Sequence, residues 1–541
     1  MLRDLGRLTA TEHDLLVIGG GISGLIIAYD AAQRGLSVAL IERGDFGAAT
    51  SFNHLKTVHG GLRYLQQGDL RRMRHSVLER RAFATIAPQM VVPLAFLAPT
   101  TRTLTRSRLA FKMAFGIDGW IGRDRNAGLP PRLHLPAGRV ISVDECRRLV
   151  ADLDLTEATG AALWYDYQMP VADRLTLAFA LAASASGAML SNYVEALTPL
   201  RHGTVVCGVK ARDVTDRGEP FEIRARMTVN AAGPWARSIM TACGIGRDVP
   251  LLKAVNLVTR RAVRGPAVVR STRHGRALVL APWHGRALIG TSESINTCGP
   301  DDRDVTPEEL KTFLREINTA FPRLNLRDDE VSLVHRGVVP AVVSNGRARL
   351  RPHPELIDHG RDEVQGLITA IGVKYTTARL LAEQTVDLVM AKLGRGSVPC
   401  RTSSVPLPGA FAETPDALVA TLVDTHRHWL DKSSAAHLAT AYGTDCHKIV
   451  ALAAQDQKLR ERVTSDSPVL RAEVVHAVRH EMALTLTDVV VRRTPLGTAG
   501  HPGLIVAQVC TEILGRELHW TADRASGEIE CLRAFYAPIV T

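Results

Sequence analysis

The residues Gly19-Gly20-Gly21-Ile22-Ser23-Gly24 fit the spacing GxGxxG. Gly19 permits a tight turn, Gly21 lets the backbone approach a pyrophosphate, and Gly24 lets a following helix pack closely on the preceding strand. The start of that helix offers free N–H groups and the positive end of its dipole to phosphate oxygens. Glu42 stands 23 residues after Gly19, the place of an acid that bonds adenosine ribose hydroxyls. A carboxylate there would repel a 2′-phosphate, which disfavours NADP and leaves FAD and NAD both open. A glycine cluster alone also serves plain turns. The strand before, the helix after and the acid in place turn this one into a dinucleotide site.

The elements that must hold these residues are legible nearby. Asp14-Leu-Leu-Val-Ile18 reads as a buried parallel strand, 22–34 as a helix stopped by Gly35, and 36–42 as a second strand ending in Glu42. That is a β-α-β unit. An irregular stretch with Gly60-Gly61 follows, then a basic helix over roughly 69–87. Residues 100–150, rich in proline and arginine, read as the start of an inserted second domain. An Ala-rich helix over 173–187 leads to a strand at 189–197 and to a hairpin of 205–214 and 221–229. Short strands over 250–295 suit an antiparallel wall facing a substrate. A strand at 366–371 and a helix at 376–393 return to the first domain, and the segment after a Pro-containing linker (398–409) is mainly helical.

The bulk properties exclude several classes. A chain of 541 residues predicts more than one domain. No apolar run reaches the roughly 18 residues of a membrane span, and no apolar signal core precedes the first strand, so a cytoplasmic location is expected. The eight cysteines show no CxxC or Cys/His spacing for zinc, and are expected to be reduced thiols rather than metal ligands. A net charge of +11 favours anionic partners. Nucleic acid is not expected: no zinc-finger, helix-turn-helix or RNP pattern is present, and only 5% of residues are aromatic.

Further segments carry a resemblance. They are Glu42-Arg-Gly-Asp-Phe-Gly-Ala-Ala-Thr-Ser51, Lys56-Thr-Val-His-Gly-Gly-Leu-Arg-Tyr-Leu65, Asn230-Ala-Ala-Gly-Pro-Trp235, Ala281-Pro-Trp283 with Ile289-Gly-Thr-Ser-Glu293, and Lys374-Tyr-Thr-Thr-Ala-Arg379. With Ala441-Tyr-Gly443 and Arg492-Arg-Thr-Pro-Leu496 in the tail, the chain resembles the FAD-dependent glycerol-3-phosphate dehydrogenases nearly end to end.

That resemblance implies an α/β plus α architecture: a Rossmann-like FAD-binding domain of the glycine/D-amino-acid oxidase type, an inserted antiparallel-sheet substrate domain and a helical carboxy-terminal domain. We divide the chain as 1–90, 151–245 and 346–397 for the first, 91–150 and 246–345 for the second, and 398–541 for the third. The implied reaction oxidises the secondary alcohol of glycerol 3-phosphate to dihydroxyacetone phosphate, with electrons passing from FAD to quinone or oxygen. A homodimer is open. For the cofactor the resemblance points to Gly19, Gly21, Ile22, Ser23, Gly24, Glu42, Arg43, Thr50, Ser51, Lys56, His59, Gly60, Gly61, Val194, Ala232, Gly233, Trp235, Gly372, Val373, Lys374, Tyr375 and Thr376. Hydride loss from carbon requires a base for the hydroxyl proton and cations for the phosphate. His59 is the candidate base or a flavin-positioning group. Arg63 is placed to hold an anion or a developing alkoxide, and Lys374 to support the flavin or bind the substrate anion. His54 lies in a loop where some relatives of the wider superfamily attach FAD covalently; lining the pocket or facing solvent is its plainer role.

The pattern also breaks. The family's substrate wall carries Gly-Val-Arg-Pro, and here it reads Gly337-Val338-Val339-Pro340; a Gly-Ser-His is replaced by Ala254-Val255-Asn256. Either Arg336 or Arg351 supplies the missing charge, or the substrate is a different small amine, amino acid or hydroxy acid. Finally, 104–120 mixes Arg106, Arg108 and Lys112 with Leu109, Phe111, Met113, Phe115 and Trp120. This composition suits a basic amphipathic helix lying on an anionic membrane surface at its cytoplasmic face.

Overall fold

The computed structural model describes residues 1–537 except 152, 217, 273, 274, 412 and 413. Its first sheet is built around His13–Ile18, five of whose six residues are buried. A continuous apolar run of that kind is what a strand covered on both faces requires. It pairs in parallel with Val38–Ile41 on one side and Phe221–Asn230 on the other, Ile18 standing opposite both Ile41 and Asn230. Met189–Ser191 extends one edge in parallel, and Leu367–Ile371 with the antiparallel Glu355–Asp358 extends the other. The glycine turn therefore opens at the carboxyl ends of the central strands, where open α/β sheets bind their ligands.

The strand Phe221–Asn230 serves two partners. Its first four residues pair antiparallel with 208–211, as the expected hairpin requires, but from Ala225 onward it runs parallel to His13–Ile18. The sequence changes character at that point. Phe221 to Arg226 alternates with every second residue exposed or partly so, whereas Met227 to Asn230 is buried throughout.

The helix Ile22–Gln33 buries nearly every residue and packs on the helices Ala172–Ala185 and Ala378–Lys392. Alanines at 28, 31, 32, 178 and 182 keep those axes close. The second sheet has ten strands and runs from Arg347–Leu350 through Val331–Ser344, Leu251–Thr259, Arg286–Glu293, Ala277–Trp283 and Ala267–Ser271 to Val92–Thr100 and Gly160–Gln168. The expected division is corrected here: residues 57–58, 160–168 and 347–350, assigned by sequence to the FAD-binding domain, are strands of this second sheet. Gly160–Gln168 pairs along its whole length with Val92–Thr100. Its local residues make a good strand but carry no information about which sheet it joins.

Helices Pro415–His426, Lys432–Tyr442, Cys446–Gln455, Arg471–Glu481, Leu504–Leu518 and Ala522–Tyr536 form the carboxy-terminal unit. Its apolar core is continuous with the second sheet through Trp283, Leu288 and Leu333, and with the loop after Ser51 through Phe52. Buried charge fastens it to the first domain as well. Asp45 accepts from Arg492 Nε at 2.6 Å and from Arg493 Nη1 and Nη2 at 2.8 and 2.7 Å, and Arg174 forks onto Glu481 with both bonds at 2.8 Å.

Candidate active site and dinucleotide cradle

Gly19 adopts φ +110° at the end of the first strand and donates its N–H to the Ile41 carbonyl at 2.8 Å. A side chain on Gly24 would collide with the Gly19 carbonyl, so the helix can approach the strand only because that position is glycine. Gly21 is the N-cap, and Ile22 N–H is met by Ser51 Oγ at 2.9 Å. Glu42 accepts from Gly20 N–H at 2.7 Å and Gly44 N–H at 2.8 Å, and burial pushes its carboxyl above the ordinary range. Val194 N–H closes on the Glu42 carbonyl at 2.8 Å. Thr50 Oγ1 donates to Val338 O at 2.7 Å, which ties this loop to the second sheet.

Arg43 lies over the Trp235 ring at 3.8 Å, and Trp235 Nε1 donates to Asp301 at 3.1 Å. Ala232 and Gly233 shape the short turn before Trp235, with Gly233 at φ +57°. A bare backbone at a strand end, an acid beside it and helix N–H groups without intrahelical partners fit a bound dinucleotide. Lys56 does something else. Its ammonium is buried, donating to Phe52 O at 2.7 Å and to Asp173 at 3.1 Å, and burial lowers its pKa. It braces the loop from inside.

A second region opens beside the cradle as a cleft of about 1460 Å³. The segment Gly372–Thr376 joins the two. A Cβ on Gly372 would lie 2.7 Å from Ser23 Oγ of the cradle helix, while Val373 and Lys374 line the cleft. Thr376 Oγ1 accepts the His59 N–H at 3.3 Å, and Tyr375 OH meets Thr176 at 2.9 Å. His54 stacks on Tyr375 with centroids 4.7 Å apart, its Nδ1 accepting from Lys56 N–H and its Nε2 buried without a partner.

The His-Gly-Gly turn is held rigidly. Gly60 N–H donates to Asp166 at 2.6 Å, and Asp166 is ion-paired with Arg80 from the helix Leu70–Ile86. That helix is clamped in turn by Arg379, whose Nε donates to Glu79 at 2.8 Å. Gly61, at φ +78°, then starts the short helix that presents Arg63 and Tyr64. Lys374 Nζ donates to Tyr64 OH and sits 4.2 Å from its ring centre; the Arg72 guanidinium lies 4.1 Å from the same centre.

The electrostatics follow from this crowding. Burial, then Arg72 and Arg63, push Lys374 down to about 7, against a partial pull from Glu293. Burial and the neighbouring Lys374, Arg80 and Arg72 hold His59 at about 3, so its imidazole is neutral. Among the described residues, Arg63, Arg72 and Lys374 have no ion pair. The arrangement is a cationic recess with a neutral imidazole beside it, which is suited to an anion whose neighbouring hydroxyl loses a proton.

The structure separates the two arginines expected to replace the charge missing at Val339. Arg351 lines the cleft but donates to Glu355 at 2.6 Å. Arg336 does not line it, and its guanidinium is spent on Asp304 at 3.2 Å and Phe535 O at 3.3 Å. That expectation is corrected for Arg336: it stands opposite the cleft-lining Val255, but Asp304 and the Phe535 carbonyl take up its guanidinium. Val339 itself packs on Leu252, Ala254, Ala341 and Ala348. Asn256 is buried and accepts from Thr291 Oγ1 at 2.8 Å. Sequence reasoning missed Arg72 and Glu293 as cleft residues. Arg72 is one basic residue among several on its helix, and nothing local distinguishes it from Arg71 or Arg74.

Residues 14–388 match the family described as FAD dependent oxidoreductase, and 400–525 match the C-terminal domain of alpha-glycerophosphate oxidase. A glycerol-3-phosphate dehydrogenase of Synechocystis sp. is 30% identical over 98% of this chain and 97% of its own length. One from Mycobacterium leprae is 30% identical over 98% of this chain and 88% of its own. The chain belongs to the FAD-dependent glycerol-3-phosphate dehydrogenase family. It is an FAD-dependent oxidoreductase. The structure of the glycerol-3-phosphate dehydrogenase of Bacillus halodurans, complexed with FAD, superposes with a TM-score of 0.77 at 25% identity, covering 99% of this chain and 97% of that one.

Proposed function

We propose that the protein oxidises the secondary alcohol of sn-glycerol 3-phosphate to dihydroxyacetone phosphate. The observation that carries this reading is the pair Arg63 and Lys374, cations without acid partners, beside the neutral His59 in a cleft that adjoins the FAD cradle. Bound FAD supplies a two-electron acceptor for the hydride leaving C2. The chain's own groups bind the phosphate, orient the alcohol and take its proton. His59 is the base. A phosphate seated among the cations offsets the repulsion that they add to burial in holding the imidazole down, raising its basicity where it is needed. Lys374 steadies the negative charge that develops on the oxygen as the proton leaves.

A second reading, oxidation of a less charged amine, amino acid or hydroxy acid, draws on Val339 and Asn256. Anaerobic titration of the purified flavoprotein separates the two. Glycerol 3-phosphate is expected to bleach the flavin absorption; bleaching by amines or hydroxy acids and not by the phosphate would overturn the first reading.

The electron acceptor in this proposal is a membrane quinone, reached from a peripheral position on the cytoplasmic face. The helix Arg108–Ile121 supports it. Leu109, Met113, Ile117 and Trp120 recur every three or four residues and all face solvent, with Leu104 and Trp120 exposed by 88% and 68%. Phe115, expected on that face, is instead turned inward. Lys112 and Arg108 flank the stripe, and the helix's one acid, Asp118, is buried on Arg125 at 2.8 Å. An apolar stripe rimmed by cations fits the interface of an anionic bilayer. A Leu109→Glu, Trp120→Glu double variant is expected to lose binding to anionic lipid vesicles by roughly tenfold or more, in flotation assays, while keeping its flavin. Equal flotation of wild type and variant would remove this part of the proposal, as would oxygen consumption that matches flavin turnover.

A further inference from the structure

Arg72 is a cation of the cleft that no motif marks. Arg72 stands in the first turn of the helix Leu70–Ile86, its backbone N–H donating to Asp69 Oδ1 at 3.0 Å. The Asp69 carboxylate faces His353 Nε2 at 3.3 Å rather than the guanidinium. The Arg72 side chain is half-buried and lies on the Tyr64 ring at 4.1 Å, the same ring that carries Lys374 Nζ at 4.2 Å. Among the described residues it has no ion pair.

This placement is electrostatically unfavourable by itself. Arg72 is the charge that most depresses Lys374 after burial, and Arg63 adds to it. An arginine that served only solubility would swing into water, away from two like charges. Its contact with the Tyr64 ring keeps it among the residues that line the cleft. The charge count also selects a ligand. Arg63, Arg72 and protonated Lys374, set against the nearby Glu293, leave a net charge of about +2. That matches a phosphate dianion and exceeds what a carboxylate neutralises. Guanidinium groups, with their forked donors, suit phosphate oxygens.

We infer that Arg72 is a specificity-determining residue that holds the substrate's phosphate together with Arg63 and Lys374. The inference rests on the function proposed above and deepens it. It accounts for how the chain binds a dianion although Val339 carries no charge and Asp304 and the Phe535 carbonyl take up the Arg336 guanidinium.

The test uses the full-length, FAD-loaded protein and its Arg72→Gln and Arg72→Lys variants. Flavin reduction is measured with glycerol 3-phosphate and with glycerol, which has the alcohol without the phosphate, and inorganic phosphate is titrated as a competitor. Loss of one charged contact is expected to raise KM for glycerol 3-phosphate by roughly 10- to 100-fold in Arg72→Gln, with kcat within about threefold. The inhibition constant of phosphate should rise in parallel. Turnover of glycerol should change by less than about twofold, and Arg72→Lys should recover part of the loss. If wild type is reduced by glycerol 3-phosphate but Arg72→Gln keeps its KM and its preference over glycerol, the assignment of Arg72 is overturned and the proposed function stands. If wild type is not reduced by glycerol 3-phosphate at all, the proposed function falls and this assignment with it.

Discussion

Replacing Asp45 by alanine is expected to destabilise the protein by about 3–5 kcal/mol, the usual consequence of removing one partner from a buried ion pair. Asp45 and Arg493 are fully buried, and Arg492 is nearly so. Without the carboxylate, Arg493 keeps only the Glu481 carbonyl at 3.0 and 3.2 Å, and Arg492 keeps Asp488 at 2.6 Å. The unfolding midpoint should drop by on the order of 10 °C. Flavin should be lost as well, because Asp45 lies between Glu42 and Ser51 on the loop that borders the cradle. The two arginines hold the Asp45 carboxyl at about 2 against the burial that would raise it. A carboxylate depressed in the folded state contributes stability above its unfolded pKa of about 3.9 and loses it as pH falls toward 2. Wild type should therefore shed this contribution between about pH 4 and pH 2, whereas Asp45→Ala has none to shed. A variant that melts within about 2 °C of wild type with full flavin content would show that the arginines find other partners.

A Lys374→Met variant should lower kcat/KM for glycerol 3-phosphate by about 10²–10³, the usual loss when one preorganised charge-stabilising donor is removed. The pH dependence makes the prediction specific to the lysine. Held at about 7 instead of the ordinary 10.5, Lys374 binds fewer protons folded than unfolded between those values. Protein stability therefore gains from this group as pH rises through that window. Anion binding runs the other way: it favours the ammonium, so above about pH 7 the substrate must bring a proton with it. KM for the phosphate should climb on the alkaline side in wild type, and the climb should be absent in Lys374→Met. Parallel pH profiles would sink the assignment of this titration to Lys374.

The first domain was legible because its physics is local. A run such as Leu15-Leu-Val-Ile18 can only be a doubly covered strand, and glycines at 19, 21 and 24 are demanded by contacts within a few residues. Glu42 was found by counting along the same unit. The sheet membership of Gly160–Gln168 and the double pairing of Phe221–Asn230 were not legible, since strand residues specify a pleat and a burial pattern but not a partner. Arg336 looked like the substitute for a missing arginine because it is near Val339 in the chain, and it fails because Asp304 and the Phe535 carbonyl, both distant in sequence, take up its guanidinium.

The sequence by itself determined a dinucleotide cradle at Gly19–Gly24 and the block from Lys56 to Leu65, because short-range geometry and a dense motif are written in consecutive residues. Only the tertiary structure decided which cations reach the cleft. Arg72 and Lys374 meet at one tyrosine ring, that of the residue next to Arg63, through a helix whose Glu79 and Arg80 are clamped by Arg379 and Asp166 and a strand end hundreds of residues later. Charge acts through space, and on a folded chain the distance between two groups is set by packing and not by their separation in sequence.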